Sequence, residues 1–328
     1  MASPGQSTLF TTFTELVTTT FRNHRKEIAN NVENHNALLR YMNDRGRKRT
    51  VDGGLSIVEP LDYAANSTVQ RYSGYDTLNV QASDVISAAE FPWRQIAANV
   101  VASGLELRTN AGKSAILNLV KARIQNAIRS LRNTIATDLY SDGTTANQIN
   151  GLQALVSDAG TGTVGGINST TFTFWKSIVQ SAASPLQGGS AITPSATTIE
   201  SLMLPLWLRL TRGTDMPQLI IAAQDYFTFF EQSQTSLKRY TTKDDGDAGF
   251  VAMKYKSADV VFDGSGIIPD SHMYFLNMDY LSWCVHPDAD FKEVPEIRPV
   301  NQDAAVIPIL WMGNLTTSAR KFQGVCKA

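Results

Sequence analysis

Two glycine-rich stretches are the first places where phosphate-binding chemistry could reside. Residues Gly160–Gly165 (GTGTVG) match the GxGxxG pattern, which binds dinucleotides only with a strand before it, a helix directly after it and an acidic residue about 20 positions later. No strand is predicted before Gly160, and Ile167–Thr171 separates the stretch from the next predicted helix, so we interpret it as a flexible loop. Ala111–Ser114 (AGKS) resembles the end of a phosphate-binding loop, but Leu107 stands where that motif requires glycine.

The histidines, cysteines and acidic clusters show no metal-ligand or nucleophile–base spacing. Cys284 and Cys326 lack CxxC spacing and cannot form a disulfide framework, which is typical of a reducing cytoplasm. Asp263–Gly266 is interpreted as a hairpin turn, and Asp244–Asp247 lacks the spaced ligands of a calcium loop. No pair with HExxH or HxH spacing occurs among His24, His35, His272 and His286. We therefore predict no catalytic residue, no metal and no cofactor; the chain is not expected to be an enzyme.

A short basic run is the one concentration of charge. Between Arg22 and Arg49, eight Lys and Arg residues face three Asp and Glu residues. The run lacks interleaved aromatic residues for stacking on bases. Two interpretations stay open: a solvated helix end, or a set of contacts with nucleic-acid phosphates or acidic neighbours. The candidate contact residues are Arg45, Arg47, Lys48 and Arg49.

The composition favours a protein that is buried among copies of itself. The chain has 328 residues, of which 43% are hydrophobic and only 18% are charged, with a formal net charge of −1. A typical soluble protein has about 25% charged residues. The length predicts roughly two domains. Neither a signal peptide nor an apolar run of membrane-spanning length is evident, so we expect no membrane association.

The first third of the chain reads as an arm followed by a ribbon. Residues 7–46 carry one helical stripe of largely apolar side chains, but many of them are poor helix formers, so this arm should need a partner surface. Residues 51–104 contain strand-like stretches at Val69–Val80 and Ala88–Ala102, which predict a long two-stranded ribbon that is unstable alone. The stripe of the arm comprises Phe13, Val17, Phe21, Ile28, Val32, His35, Leu39 and Met42.

A long amphipathic helix and an α/β region follow. The helix is predicted over Ala111–Tyr140, about 45 Å long, with an apolar stripe at Ile116, Val120, Ile124, Ile128, Leu131, Ile135 and Leu139. Further helices are predicted from Thr170 or Thr171, from a Ser195 cap through Leu210, and at Asp225–Leu237. Strands are predicted at Gln218–Ala223, Val251–Tyr255, Val260–Phe262, Met273–Leu276 and Leu281–Val285, and in the tail at Ala304–Met312 and Leu315–Cys326 with a turn at Met312–Asn314.

This order of elements, and the residues within them, resemble the HK97-like capsid proteins of tailed phages. The likeness covers roughly residues 60–328 and is distributed along the chain without a single diagnostic signature. The segments that carry it are Phe91–Gln95, Tyr140–Thr144, Ile149–Val156, His272–Asn277, His286–Pro287, Asn301–Ala304 and Trp311–Thr316.

The resemblance implies an α+β, HK97-like capsid fold. It has an N-terminal arm (1–50), an extended β-hairpin loop (51–104), a peripheral domain with the long spine helix and long strands (105–150 and 287–328) and a mainly axial domain (151–286). It implies a major capsid protein that forms hexamers and pentamers, assembles in the host cytoplasm and encloses double-stranded DNA in a virion. The implied partners are sister copies, a portal protein and packaged DNA, while a decoration protein is left open.

Two departures from the family can be argued from the residues. Some members cross-link the extended loop through a lysine, but no lysine occurs between Val51 and Gly112, so we predict a shell without such cross-links. Some members carry a long cleaved scaffolding segment; about 50 residues precede the ribbon here, which predicts a separate scaffolding protein. The alternatives are a nanocompartment shell of the same fold with a protein cargo, a nucleotide-dependent enzyme using Gly160–Gly165, and a DNA-binding module using Arg22–Arg49.

Overall fold

A computed structural model describes residues 36–109, 119–234, 252–263 and 267–328. Several predicted features lie wholly or partly outside these residues. They are most of the arm, the start of the spine helix with Ala111–Ser114, the end of the helix Asp225–Leu237, the loop Asp244–Asp247, the first residue of the strand Val251–Tyr255 and the glycines of the Asp263–Gly266 turn.

The described chain mixes helices and strands, which confirms the α+β class. The helices are α1 (Ala37–Asp44), α2 (Gly104–Thr109), α3 (Leu119–Asp138), α4 (Leu152–Leu155), α5 (Ile199–Leu210) and α6 (Gln224–Ser233). The strands are β1 (Lys48–Thr50), β2 (Ser56–Asp62), β3 (Ile86–Pro92), β4 (Arg94–Ser103), β5 (Thr163–Val164), β6 (Ile167–Asn168), β7 (Ile178–Ser181), β8 (Leu219–Ala222), β9 (Ala252–Tyr255), β10 (Ala258–Phe262), β11 (His272–Leu276), β12 (Leu281–Val285), β13 (Lys292–Glu293), β14 (Ala304–Thr317) and β15 (Gly324–Lys327). Single 3₁₀ turns occupy Thr173–Trp175, Met278–Tyr280, Pro287–Ala289 and Arg320–Phe322.

The chain divides into two compact units, and each has its own core. The described part of the small unit comprises residues 95–109, 119–135 and 288–311, and that of the large unit comprises the remaining described residues. In the small unit, α3 turns Leu131 toward Val100 of β4 and Ile309 of β14, and all three are buried. The stripe predicted for the spine helix is therefore confirmed over its described part. The predicted domain boundaries stay a prediction.

The core of the large unit is a six-stranded sheet covered by α5 and α6. Its strand order is β7-β15-β11-β8-β10-β9, with β8 parallel to β10 and antiparallel to β11. All four residues of β8 are buried, as expected for the centre of a sheet with both faces covered. The helices α5 and α6 contribute Leu206, Leu210, Tyr226 and Phe230 to the same cluster. The predicted strands that correspond to β8, β9, β10 and β11 and the predicted end of α5 are confirmed. The predicted strand Leu315–Cys326 is wrong, because β14 ends at Thr317 and the 3₁₀ turn Arg320–Phe322 precedes β15.

A second sheet of the large unit corrects the prediction for the tail. Strand β12 pairs in parallel with β1 and antiparallel with β14, in the register Leu281↔Thr317 to Val285↔Gly313. The predicted turn at Met312–Asn314 is wrong, because β14 runs through it as one strand. Gly313 takes a ladder position, and the buried side chain of Asn314 accepts from the backbone N–H of Asn150 at 3.0 Å.

Three local predictions are also wrong. The helix predicted from Thr170 or Thr171 is only one 3₁₀ turn followed by β7. Thr198, and not Ser195, stands at the N-cap of α5, although the carbonyl of Ser195 accepts from the N–H of Ile199 at 3.0 Å. The strand predicted at Val69–Val80 is absent; the ribbon consists of β2 and β3 instead. Alternating apolar residues stay irregular there because no core covers them.

Candidate interaction surface

The described end of the arm lies on the body of the same chain. Asn36 caps α1 by accepting from the N–H of Leu39 at 2.9 Å, and its amide group donates to the carbonyl of Ala136 at 3.3 Å. Leu38 and Met42 are fully buried. The helix stops before Gly46, whose φ of +64° suits glycine. The arm was expected to need a partner surface, and for α1 that surface belongs to the chain itself.

The arginines of the basic run have partners inside the large unit. The guanidinium of Arg45 donates to the hydroxyl of Tyr41 at 2.7 Å and to the side-chain oxygen of Gln218 at 3.3 Å. Arg47 forms an ion pair with Asp279. Arg45 and Arg47 thus have side-chain partners, although Arg45 stays exposed.

The remaining two cations belong to β1. Lys48 is exposed, and its backbone pairs with β12 at Trp283. Arg49 donates from one nitrogen to both carboxylate oxygens of Glu59, at 2.8 and 2.9 Å. Hydrogen bonding to Glu59 raises the pKa of Arg49 above its ordinary value. Whether the run also touches DNA or a neighbouring subunit stays a prediction.

Glu59 is a buried carboxylate that the sequence analysis missed. It lies on the inward face of β2, only 4% exposed, and accepts from the hydroxyl of Thr316 at 2.9 Å. The thiol of Cys284 is 3.9 Å from the same oxygen, and burial raises the pKa of that thiol. The alternation Ile57-Glu59-Leu61 was the available signal, because period-two spacing puts all three on one face.

The paired strands β2 and β3, here called the ribbon root, make further contacts with the rest of the large unit. The carbonyl of Gly165 accepts from the N–H of Glu90 at 3.0 Å. The amide of Asn314 donates to the carbonyl of Pro92 at 2.8 Å. Apolar packing fills the inward face, where Phe91 is fully buried. The root is therefore part of the subunit's own fold.

Residues 63–85, here called the ribbon tip, have the opposite character. They contain no regular strand or helix, and their first residue, Tyr63, has its ring 6.0 Å from that of Phe174. Beyond this point the tip exposes its large hydrophobic side chains, namely Val69 (82% exposed), Tyr72, Tyr75 (106%), Leu78 and Val80 (92%). Five large apolar side chains exposed within 12 residues make the tip a candidate interaction surface.

The glycine-rich stretch is a small hairpin and has no dinucleotide-binding context. Strands β5 and β6 pair across its turn, and the next element along the chain is a 3₁₀ turn. Gly165 has a φ of +58°, and a Cβ built there would lie 2.9 Å from the Cβ of Ala89. Gly165 therefore allows the turn to pack closely against the ribbon root.

The other chemical candidates also have ordinary partners. His272, which begins β11, has Nε2 3.0 Å from Asp158 and Nδ1 2.8 Å from the carbonyl of Asp270. Burial raises the pKa of Cys326 to about 12. No group of three or more His, Cys, Asp or Glu residues that could hold a metal occurs within the described ranges.

Arg320 is a second buried charge that the sequence did not reveal. Its guanidinium is fully buried and donates to the carbonyls of Leu155 and Trp175, at 2.6 and 3.3 Å, and to the hydroxyl of Ser157 at 3.2 Å. Burial lowers the pKa of this group to about 10. Arg320 therefore connects the end of α4 and the residue Ser157 that follows it with the end of the 3₁₀ turn Thr173–Trp175.

The chain is similar over nearly its whole length to solved phage capsid structures. The capsid of cyanophage A-1(L) matches with a TM-score of 0.67 and 19% identity, over 94% of this chain and 97% of that chain. The capsid of Myoviridae phage XM1 matches with a TM-score of 0.56 and 10% identity, over 93% and 96%. The chain has the fold of phage capsid proteins.

Further comparisons agree with this capsid fold or are silent. The capsid of an empty GTA particle matches with a TM-score of 0.55 and 12% identity, over 95% of this chain and 97% of that chain. No family model and no curated protein sequence matches the chain. Within the described part of the chain, no helix is long and apolar enough to cross a membrane.

Proposed function

We propose that this chain is the major capsid protein of a tailed phage, with an HK97-like fold, and that it is a structural subunit without enzymatic activity. It assembles as hexamers and pentamers into an icosahedral shell that encloses double-stranded DNA in the virion. The predicted arm, extended loop, peripheral domain and axial domain are the parts of this subunit. Assembly takes place in the host cytoplasm.

One observation carries the proposal: the match covers nearly all of this chain and nearly all of the capsid chain with which it is compared. The match to the cyanophage capsid leaves only 6% of this chain and 3% of that chain uncovered. A subunit with an added catalytic domain would leave a large uncovered part, so the capsid fold accounts for nearly all of this chain.

The ribbon tip supports assembly from identical copies. Its exposed apolar side chains, such as Tyr75 and Val80, are not covered by the subunit's own fold. A closed shell requires each subunit to bury complementary surfaces on its neighbours. We propose that the tip lies on a sister copy, and that the low charge of the chain reflects surfaces buried in the same way.

The remaining partners are proposed on the resemblance alone. They are a separate scaffolding protein during assembly, a portal protein, packaged DNA bound non-specifically and, on some shells, a decoration protein. The run Arg45–Arg49 is the proposed point of contact with DNA or a neighbouring subunit. Arg45, Lys48 and Arg49 are exposed, and their outward parts are the ones we propose for that role. No observation favours the nanocompartment hypothesis.

Electron microscopy of the chain co-expressed with candidate scaffolding proteins from its own genome tests the proposal. We expect closed particles with pentamers at the vertices, and malformed or absent particles when the chain is expressed alone. If the chain stays monomeric under every assembly condition, the capsid function is wrong.

Covalent cross-linking is a separate prediction for the assembled shell. Because the segment Val51–Gly112 contains no lysine, the extended loop cannot supply the amine of an isopeptide bond. Denaturing electrophoresis of mature particles should show one band near 35.9 kDa. A ladder of higher-mass species would contradict the prediction.

A further inference from the structure

Residues 36–51 form a strap that is fastened at both ends to the large unit. At the first end, the N–H of Ala37 donates to the carboxylate of Asp263 at 3.2 Å. At the second, the N–H of Val51 donates to the carbonyl of Val285 at 3.1 Å. Between these points lie α1, the paired Arg45 and Arg47, and β1 on β12. The strap is thus the segment through which the arm joins the subunit.

One strap side chain binds the ribbon. Arg45 and Arg47 bind groups of the body, whereas Arg49 binds Glu59 on the inward face of β2. The Glu59 side chain is 6% exposed and that of Arg49 is 49% exposed. Within the described part of the chain, this carboxylate is also contacted by the hydroxyl of Thr316 and by the thiol of Cys284.

The pair is asymmetric in what each partner needs. Arg49 without Glu59 can turn its charge into water, because half of its side chain is already exposed. Glu59 without Arg49 would keep a charge in a buried position with a hydroxyl as its main hydrogen-bond donor, which is strongly unfavourable. Movement of β2 away from β12 and β14 would relieve this cost by letting the carboxylate reach water.

We propose that the Arg49–Glu59 ion pair couples the strap to the ribbon root, so that displacement of either segment loosens the other. The arm is continuous with the strap, and the tip is continuous with the root. A change in the arm is therefore transmitted to the ribbon within one subunit. Because such coupling is a free energy, it is reciprocal. It is a property of the single chain and does not depend on the capsid function.

Two readouts on the full-length, unassembled chain test the coupling. Hydrogen exchange followed by mass spectrometry reports opening of β1, β2 and β3. Alkylation reports the same event at Cys284, which lies beneath Glu59, while Cys326 in the six-stranded sheet is an internal control. Arg49→Gln should accelerate exchange in β2 and β3 and alkylation of Cys284 by about 10-fold or more, and leave Cys326 unchanged.

Variants on the ribbon side complete the test. Glu59→Gln should accelerate exchange in β1, across the pair from the substitution. The double variant R49Q/E59Q should exchange more slowly in β2 than R49Q alone, because no unpaired buried charge remains. Arg49→Lys keeps a positive charge that can still pair with Glu59 and should give a smaller acceleration than R49Q, which keeps the test usable if R49Q folds poorly.

Arg298→Gln is the matched control, since Arg298 and Glu296 are joined at the same 2.8 Å but are both exposed. It should leave exchange in the ribbon root unchanged. The coupling is refuted if R49Q accelerates exchange in β1 only, or if E59Q leaves β1 unchanged. It is also refuted if the acceleration of exchange in β2 of the double variant equals the sum of the accelerations in the two single variants.

Discussion

The two halves of the ribbon are made of similar residues, but the root forms paired, half-buried strands and the tip is irregular and exposed. The root alternates inward and outward side chains in register, so that Ile57 faces Phe91 and both are buried. The tip also has alternating apolar residues, but it forms no strand, and Val69 and Val80 are almost fully exposed. The difference lies in the surface beneath them. The root has β12, β14 and the β5–β6 hairpin to cover it, and the tip has no surface of its own subunit.

The comparison shows which part of the ribbon is covered by the subunit itself and which part stays exposed; the exposed part is the one that we propose to lie on a sister copy. Substitutions in the root should act on the stability of the single chain. Substitutions in the tip should act on the association of copies. Stability and association can be measured separately, so each half has its own test.

The largest expected effect on stability is at the root. Phe91→Ala removes a fully buried ring and should lower the free energy of unfolding by about 3–5 kcal/mol. Ile86→Ala, on the same strand but 67% exposed, is the matched control and should change it by less than about 0.5 kcal/mol. Urea unfolding of the unassembled chain checks both. Equal effects of the two substitutions would mean that the root is not docked.

The six-stranded sheet is a third region, and its stability should depend on pH in the alkaline range. Burial raises the pKa of Cys326 to about 12 in the folded chain, so the folded state retains a proton that the unfolded thiol loses near pH 9. The contribution of the Cys326 thiol to the free energy of unfolding is complete below pH 9 and is lost as pH rises toward 12. At pH 10.5 the loss amounts to about 2 kcal/mol. Cys326→Ala should therefore flatten the fall of unfolding free energy with pH. An unchanged slope would contradict this assignment.

Substitutions in the β5–β6 hairpin, which packs against the root, should change the free energy of unfolding by a smaller amount, and neighbouring glycines provide the control. Gly165 and Gly166 both have positive φ, +58° and +75°, but only a Cβ at Gly165 would meet the ribbon, at Ala89. Gly165→Ala should thus destabilise the chain by about 1–2 kcal/mol more than Gly166→Ala, as overpacking does in a closed core. Thermal or urea unfolding measures the difference. Identical values would show that the hairpin does not press on the ribbon.

The smallest effect on the single chain is expected at the tip. Changing Tyr72, Tyr75 and Val80 together to serine should alter the free energy of unfolding by less than about 0.5 kcal/mol per site, because these side chains are exposed. The same variant should fail to form closed particles in an assembly assay followed by light scattering. Loss of fold in the unassembled variant would contradict the assignment of these residues to the interface.

The sequence predicted the elements that bury continuous or strictly periodic apolar residues. Strand β12 was predicted at its observed bounds, Leu281–Val285, and α3 shows the predicted stripe. Val69–Val80 was predicted wrongly because alternation alone does not reveal whether a covering surface exists. Gly313 was read as a turn because glycine serves turns and ladder positions alike. The basic run was predicted as a contact site, and that stays a prediction; the sequence could not reveal its partners Gln218 and Asp279, which lie far away along the chain.

The buried charges show the same limit. Glu59 and Arg320 look like ordinary surface residues in the sequence, since charged side chains are rarely buried. Their burial depends on partners such as Arg49 and Thr316 for the first, and on the carbonyl of Leu155 for the second. A period-two pattern can place Glu59 on the inward face, but only the tertiary structure supplies the groups that stabilise it there.

A map of assembled particles by electron cryomicroscopy tests the central claim most directly, because it shows where residues 63–85 lie in the shell. The expected result is a closed icosahedral particle in which the tip of each subunit rests on a neighbouring copy while its root stays on its own body. A map in which every tip folds back onto its own subunit, or in which no shell forms, would contradict the account.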